Sequence, residues 1–463
     1  MPQMPSPERL HSLIHALEAG LLERSEAVRL ALLAALAGEH VLLIGPPGTA
    51  KSALARRLQH AFLGARYFER LLTRFSIPEE LFGPLSLKAL EDDRYERLTD
   101  GYLPTAGIAF LDEVFKANSA ILNALLTLLN EREFDNGRER VRTPLVCVVG
   151  ATNEVPADEA LQAFYDRFLL RVPVVPVSDA GFAQLLTLEG DAPLLPSAPI
   201  TEAERAALVV ARDAVRLGEP VVAALAEARA LVRTQRIAVS DRRWRQTVGL
   251  LKTAAASSGR SDVALLDLWL LPWCLADQPA QLAPLAAWVH DTLLGATPID
   301  APWLTRAIEA FEQQLGLETQ AQQEDGDAGK LALARAIAGP GEGASLTRVF
   351  AATLEERMRR RYSPLHIEAR VAQLDELLAR TERHLAPLDQ HAQAMQSALR
   401  QQLWMPPALA GRIGRAHAAS LQTVATLVGR LQVVRAGFAA LPVDAALAAS
   451  APAPLRWDEA AAA

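Results

Sequence analysis

The sequence is organised around residues 41–52, which read VLLIGPPGTAKS. The apolar run at 41–44 predicts a buried parallel strand. Residues 50–58 contain neither Gly nor Pro, so a helix is expected to begin where the Gly-rich turn ends, with its free N–H groups facing an anion. Lys51 then reaches the β- and γ-phosphates of a nucleotide, and the Ser52 hydroxyl binds Mg²⁺. The predicted phosphate-binding loop consists of Gly45, Pro46, Pro47, Gly48, Thr49, Ala50, Lys51 and Ser52.

One residue of this loop departs from the pattern G-x-x-x-x-G-K-S/T, because Ala50 stands where the last Gly is usual. A methyl group fits there only if the residue already has helical dihedral angles. We therefore expect Gly45 and Gly48 to supply the positive φ angles. The alternative is a Gly-rich strand-to-helix turn without a ligand, but it would leave Lys51 buried with no anion to meet, which is costly.

A second apolar strand, residues 108–113 with the sequence IAFLDE, ends in two adjacent carboxylates. Because parallel strands end on the same edge of a sheet, Asp112 is expected beside Mg²⁺ at the phosphate loop. Glu113 is expected one residue further out, where a carboxylate can orient or deprotonate the attacking water. An apolar run followed by Asp-Glu is usually only a strand end that meets solvent. The functional interpretation of Asp112 and Glu113 therefore depends on the phosphate-binding loop that precedes them.

Two further polar residues follow predicted elements. Residues 145–149, LVCVV, predict another buried strand, and Asn153 follows it with an amide suited to the γ-phosphate or the lytic water. An Asx turn leaving the strand is an equal alternative for Asn153. Arg167 leaves a short helix in the sequence Asp-Arg-Phe, where the alternative is a surface ion pair with Asp166.

Together and in this order, these motifs resemble the MoxR family of AAA+ ATPases, and the RavA-like subfamily is the most similar. The supporting segments are ER at 23–24, TRFS at 73–76, EELFGP at 79–84, RYER at 94–97, GYLP at 101–104 and SDRRW at 240–244.

The resemblance covers residues 8 to about 290 and carries several implications. Asn153 would be sensor 1, and Arg167 an arginine finger that reaches the γ-phosphate of a neighbouring subunit. Arg242 would be sensor 2, with Arg243 as the alternative. Residues 85–98 would form a hairpin facing the pore of a ring.

The predicted fold is an α/β P-loop AAA+ core, with a parallel five-stranded sheet flanked by helices, followed by an all-α lid and a C-terminal helical domain. The predicted domains are the core at 1–195, the lid at 196–295, a partly disordered linker rich in Gln, Glu and Gly at 296–345, and a helical hairpin with a frayed tail at 346–463. RavA-like proteins carry a small β-rich module within their helical domain. Residues 317–365 lack the alternating segments that would form it, so no partner of that module is assigned.

Local patterns predict several individual elements. Two helices are expected within residues 6–38, a helix at 118–132, and a β-hairpin tip at Asp135-Asn-Gly137. Thr201 to Glu204 predicts a capping box at the start of the lid. Two antiparallel helices are expected in the last third, separated near residues 405–407.

Composition limits the classes of protein that remain. The 463 residues are half apolar and carry a net charge of −7, which argues against general nucleic-acid binding. The most apolar run, residues 263–276, is broken by Asp267 and Pro272, so a cytoplasmic location without membrane insertion is expected. Cys147 and Cys274 lie in apolar runs, which favours neither disulfides nor a thiolate metal site.

By resemblance, the expected function is that of an ATP- and Mg²⁺-dependent ring ATPase, a homo-hexamer, that remodels client proteins or inserts cofactors into them. A protein with a von Willebrand factor A (vWA) domain is the partner that the family implies. A chelatase-type motor subunit, a nucleic-acid motor or helicase loader, and a nucleotide-gated scaffold are the alternatives.

Overall fold

The structure is a computed structural model that describes residues 3–156, 158–188, 196, 198–294, 302–320, 362–447 and 451–455. It divides into two compact units, of which the first comprises residues 1–295 with 397–413 and the second 296–396 with 414–463. None of the helices in the described ranges is long and apolar enough to span a membrane.

The first unit is built on a parallel sheet of five strands in the order β2-β3-β6-β1-β7. This order requires crossover connections through helices on the faces of the sheet, and it confirms the predicted α/β core. The strands of this sheet are β1 His40–Ile44, β2 Tyr67–Leu71, β3 Ile108–Asp112, β6 Cys147–Thr152 and β7 Phe168–Pro173. Two separate pairs are formed by β4 Glu133–Asn136 with β5 Glu139–Arg142 and by β8 Arg216–Leu217 with β9 Asp262–Val263.

Helices flank this sheet and form the rest of both units. They are α1 Pro7–Glu18, α2 Ser25–Ala37, α3 Lys51–Gln59, α4 Pro78–Phe82, α5 Leu87–Glu91, α6 Ser119–Glu131, α7 Glu159–Tyr165, α8 Asp179–Leu186, α9 Glu202–Ala214, α10 Glu219–Thr234, α11 Asp241–Ser257, α12 Leu271–Leu275, α13 Leu282–Leu294, α14 Pro302–Gln320, α15 Pro364–Arg400 and α16 Pro407–Ala439.

Strands β1 and β6 are buried along their whole length, and β3 is buried up to Asp112. Strands covered by helices on both faces need apolar residues at every position, which explains why they read as continuous apolar runs. Their burial leaves polar residues only where the chain emerges from the sheet. The carboxyl edge of the sheet is therefore where functional side chains are concentrated.

Several local predictions are confirmed. Asn118 caps α6 by accepting a hydrogen bond from the N–H of Ile121, and β4 and β5 form the predicted hairpin. Residues 85–98 differ from the expected hairpin. They contain the short helix α5 and a single antiparallel bridge between Leu85 and Arg97, because the Ser86 side chain caps a helical turn there.

Helices α9 to α13 lie in the range predicted as the lid. The predicted capping box is present at α9, where Thr201 and Glu204 exchange side-chain and backbone hydrogen bonds. The chain later returns to this unit, since Leu403 O accepts a 2.7 Å hydrogen bond from Arg29 Nη1 and buried Trp404 donates to Ser257 Oγ.

The described part of the second unit contains α14, most of α15 and most of α16. The ion pair between Asp375 and Arg435 and the ring contact between His391 and His417 show that α15 and α16 run antiparallel, as predicted. Helix α14 occupies part of the range predicted as a linker. Residues 321–361, which contain half of that predicted linker and most of the range 317–365 in which no β-rich module is expected, lie outside the described residues.

Candidate functional site

The loop between β1 and α3 has the geometry of an anion cradle. Gly45 N donates to Thr152 O at 3.0 Å, which anchors the loop to β6. Lys51 is buried at the start of α3, and its Nζ donates to Gly45 O at 2.6 Å and to Pro46 O at 2.9 Å. Burial lowers the pKa of Lys51, whereas the charges of Asp112 and Glu113 oppose that shift. The loop therefore holds a cation and free helical N–H groups together, which fits a phosphate ligand.

The dihedral angles of the loop correct one expectation. Gly48 has a φ of 77°, but Ala50 also lies in the left-handed region, with a φ of 64° and a ψ of 24°. The prediction that Ala50 would be helical is wrong, because Ala50 is the N-cap residue and α3 begins only at Lys51. A left-handed Ala costs about 1–2 kcal/mol, so the cradle stores backbone strain.

Gly45 is required for a different reason. A Cβ atom at this position would lie 2.0 Å from the carbonyl oxygen of Val174, which follows β7. No side chain can be accommodated at that distance. The start of the loop is therefore packed directly against the backbone of Val174.

The two predicted carboxylates and the predicted amide meet at the carboxyl edge of the sheet. Strands β3 and β6 are adjacent, with Leu111 opposite Gly150, so Glu113 and Asn153 leave the sheet side by side. Asn153 Nδ2 donates to Glu113 Oε1 at 2.6 Å. Glu113 has a left-handed φ of 51°, a strained conformation that directs its carboxylate toward β6.

Ser52 and Asp112 provide the oxygen atoms that suit Mg²⁺. Ser52 is half-buried in the first turn of α3, and Asp112 is the half-buried last residue of β3. Asp112 Oδ1 accepts a 3.0 Å hydrogen bond from the Glu113 N–H, which leaves the other carboxylate oxygen available. A hydroxyl and a carboxylate match the ligands that Mg²⁺ takes beside substrate phosphates.

Arg24 is a supporting residue whose role the sequence reasoning missed. Its buried guanidinium donates to Thr49 O at 3.0 Å, to Val175 O at 2.7 Å and to Glu23 O at 3.0 Å. It thus ties the phosphate loop to the segment after β7. The pair at 23–24 served only as a family marker in the sequence, because nothing local indicates acceptors so distant along the chain.

Arg167 lies at the opposite edge of the sheet from the phosphate loop. It immediately precedes β7, whose first residue, Phe168, pairs with His40 at the start of parallel strand β1. Within the described part of the chain, Asp166 pairs with Arg243 rather than with Arg167, and Arg167 Nε is buried without a hydrogen-bond partner. The predicted finger therefore does not reach the loop of its own chain.

The two candidates for sensor 2 also lie away from the loop. Arg243 is buried and donates to Asp166 at 3.1 Å and to Leu169 O at 2.9 Å. Arg242 is exposed and donates to Asn130 Oδ1, near the end of α6, at 2.9 Å. Arg243 therefore has a structural role, and Arg242 is the freer of the two.

Comparisons with known proteins identify the family. A family described as the MoxR domain in the MoxR-vWA-beta-propeller ternary systems matches residues 8–193, and the AAA lid domain matches residues 220–289. Two uncharacterized proteins of Methanocaldococcus jannaschii are 42% and 40% identical over 265 and 275 residues, covering 57% and 58% of this chain and 69% and 72% of the relatives. Protein MoxR of Paracoccus denitrificans is 32% identical over 166 residues, 34% of this chain and 48% of that protein. The chain belongs to the MoxR family of AAA+ ATPases.

Proposed function

We propose that this chain hydrolyses ATP to ADP and phosphate at the edge formed by the phosphate loop, Asp112, Glu113 and Asn153. The observation that carries the proposal is the 2.6 Å hydrogen bond between Asn153 and Glu113 at adjacent strand ends. It places a carboxylate that can accept a proton from water beside an amide that can orient that water. Asn153 would thereby act as sensor 1.

The residues of the loop would bind the nucleotide. Lys51 would leave the two carbonyl oxygens that it now contacts and donate to the β- and γ-phosphates. Ser52 and Asp112 would hold Mg²⁺, which when bound neutralises charge that develops on the phosphates. Arg24 would keep the backbone of Thr49 in place while Lys51 moves.

The position of Arg167 supports a site shared between subunits. Because Arg167 lies at the edge of the sheet opposite its own loop, it would act as an arginine finger only on the nucleotide of a neighbouring chain. Ser240, two residues before Arg242, donates a 3.3 Å hydrogen bond to Asp166, which precedes Arg167. The lid and the turn that carries Arg167 would therefore move together. In a closed ring, which we propose to be a homo-hexamer, every nucleotide site would receive an arginine finger from the neighbouring chain.

The biological role rests on the family. We propose a cytoplasmic remodelling or maturation factor for client proteins, in a RavA-like subgroup that lacks an evident β-rich module. A vWA-domain protein is the proposed partner, since the matched family is described through its vWA and β-propeller ternary systems. The gene next to that of this chain should encode a vWA-domain protein, and mixing its product with the purified chain, with and without ATP, would test the partnership. Failure to co-elute in either condition would reject the partnership.

ATPase assays with two variants test the proposed reaction. Glu113→Gln should bind ATP normally but turn it over at least about 10²-fold more slowly, because the general base is lost while Asp112 remains. Lys51→Ala should instead lose affinity for ATP. Unchanged turnover in Glu113→Gln would reject its role, and unchanged ATP binding in Lys51→Ala would reject the phosphate loop.

A further inference from the structure

A cleft of about 870 Å³ lies at the amino edge of the sheet, far from the candidate ATPase site. One wall consists of residues that precede the strands, and the facing wall consists of lid helix α9. Representative residues of the first wall are Gly38, Arg66, Gly107 and Val146, and those of the second are Glu202, Arg205, Ala206 and Val209.

The charged residues that line the cleft are mostly cationic. Four arginines face one acidic residue, Glu202, and only Arg66 among these arginines has an ion-pair partner in the described part of the chain, namely exposed Asp100. The remaining arginines are Arg132, Arg142 and Arg205. Among the described residues, the cleft therefore carries an excess of positive charge, which Glu202 beside Arg205 and Glu39 near Arg132 offset only in part.

Arg132 shows that part of this charge is held away from water. Its Nη2 donates to Gly38 O at 2.8 Å, but its Nη1 is buried and has no hydrogen-bond partner among the described residues. Burial also lowers the pKa of Arg132 and of Arg205. A buried guanidinium without an ion-pair partner is unfavourable, and the charge of an anion in the cleft would offset part of that cost.

Apolar side chains also line the cleft. Phe62, Leu145 and Ile200 are buried among the lining residues, and Leu36 and Phe134 complete the apolar surface. Sites for small molecules typically have volumes of about 300–1,000 Å³ and combine apolar walls with a few polar groups. The cleft has both properties.

We propose that this cleft binds a small amphiphilic anion, with a phosphate, sulfonate or carboxylate head on the arginines and an apolar body against Phe62 and Leu145. Because the lining comes from both α9 and the sheet, an occupant would contact the lid and the core at once. It would thereby favour one position of the lid relative to the core. The proposal does not depend on the ATPase mechanism.

Fluorescence titration with 8-anilinonaphthalene-1-sulfonate (ANS), in excess ADP and Mg²⁺, tests the proposal. ANS should bind wild-type protein, whereas its uncharged analogue N-phenyl-1-naphthylamine should bind at least about tenfold more weakly. Arg205→Glu and Arg142→Glu should each weaken ANS binding about tenfold or more. Arg212→Glu is the matched control, since it makes the same charge change on α9 outside the lining residues. Competition with octyl phosphate and with octanoate then identifies the preferred head group.

Several outcomes would overturn the proposal. Equal ANS affinity in wild type and in both cleft variants would show that the arginines do not bind the probe. An equal loss in Arg212→Glu would indicate general electrostatic attraction. Disappearance of the ANS signal as protein concentration rises would assign the cleft to a contact with another copy of the chain. Since Arg142 is exposed, its variant keeps the test valid if Arg205→Glu fails to fold.

Discussion

Asn153 Nδ2 donates a 2.6 Å hydrogen bond to Glu113 Oε1, and Lys116 Nζ lies 3.3 Å from the same oxygen. The carboxylate that would activate water is therefore already engaged by an amide and an ammonium group. The amide contact joins the ends of two neighbouring strands, whereas the Lys116 contact comes from an exposed side chain three residues after Glu113. These two contacts should differ in their importance for turnover.

Asn153→Ala should lower kcat by about 10- to 100-fold with little change in ATP affinity, because Glu113 and the water lose their orientation. The double variant with Glu113→Gln should be slower than Glu113→Gln alone by no more than about twofold, since both changes remove one shared function. Steady-state kinetics of the four proteins measure this coupling.

Lys116→Gln is the control, because an exposed ion pair contributes little. It should change kcat by less than about threefold. Fully additive losses in the double variant would show that Asn153 and Glu113 act independently, which contradicts the proposed pairing.

Ala50→Gly should raise the free energy of unfolding by up to about 1 kcal/mol. Glycine removes the left-handed strain of about 1–2 kcal/mol at this N-cap residue, and its greater freedom in the unfolded chain offsets part of that gain. ATP affinity should stay the same. Urea denaturation and equilibrium nucleotide binding measure the two quantities.

Ala53→Gly, in the first turn of the same helix, is the matched control. This substitution should lower the free energy of unfolding by about 1 kcal/mol, because glycine is unfavourable within a helix. If both variants were destabilised equally, Ala50 would not be strained.

The sequence predicted the elements of the sheet but not this strain. Periodicity and apolar runs report burial, so β1, β3 and β6 could be located from local patterns. The φ angle of Ala50 depends on where α3 begins, and that is decided by how the loop packs against Val174 and Thr152, far along the chain.

The same limit applies to the candidate site. Lys51, Asp112, Glu113 and Asn153 could be predicted, because the last three lie at or just after the end of a recognisable strand and Lys51 ends the Gly-rich loop that follows another. The bracing role of Arg24 could not, because its acceptors are carbonyl oxygens, which carry no sequence signature. Which of Arg242 and Arg243 is buried likewise could not be predicted, because burial depends on how α11 packs.

Glu39→Gln should make the protein more stable at high pH. The Glu39 side chain accepts a 2.7 Å hydrogen bond from Gln246, and burial raises its pKa to about 7, although Arg132 opposes that shift. Because the folded pKa exceeds the unfolded value, the folded state prefers the protonated acid. This contribution to stability is complete below about pH 4.5 and is lost as the pH rises through about 7.

Chemical denaturation between pH 5 and pH 8 should therefore show a gap between Glu39→Gln and wild type that widens with pH in favour of the variant. Glu131→Gln, at an exposed position of α6, should show no such trend. A constant gap across this range would mean that Glu39 titrates normally.

Arg167→Ala should bind ATP normally yet hydrolyse it about 10³- to 10⁵-fold more slowly, the effect that arginine fingers have in other phosphoryl-transfer enzymes. Its position beside the start of β7 keeps it from the loop of its own chain, so activity per subunit should also rise with protein concentration as rings assemble. Arg242→Ala provides a comparison. Among the described residues, Asn130 is the one that accepts a hydrogen bond from the Arg242 guanidinium.

Mixing variants gives the decisive measurement. Arg167→Ala and Lys51→Ala should each be inactive alone, but in a mixed ring an intact Lys51 site can lie beside an intact Arg167 donor. Partial recovery of ATPase activity is expected, because each active site then draws its loop and its finger from different chains. Subunit exchange must be demonstrated separately, for example by energy transfer between labelled subunits. A mixture that exchanges but stays inactive, or wild-type turnover in Arg167→Ala, would rule out the shared site.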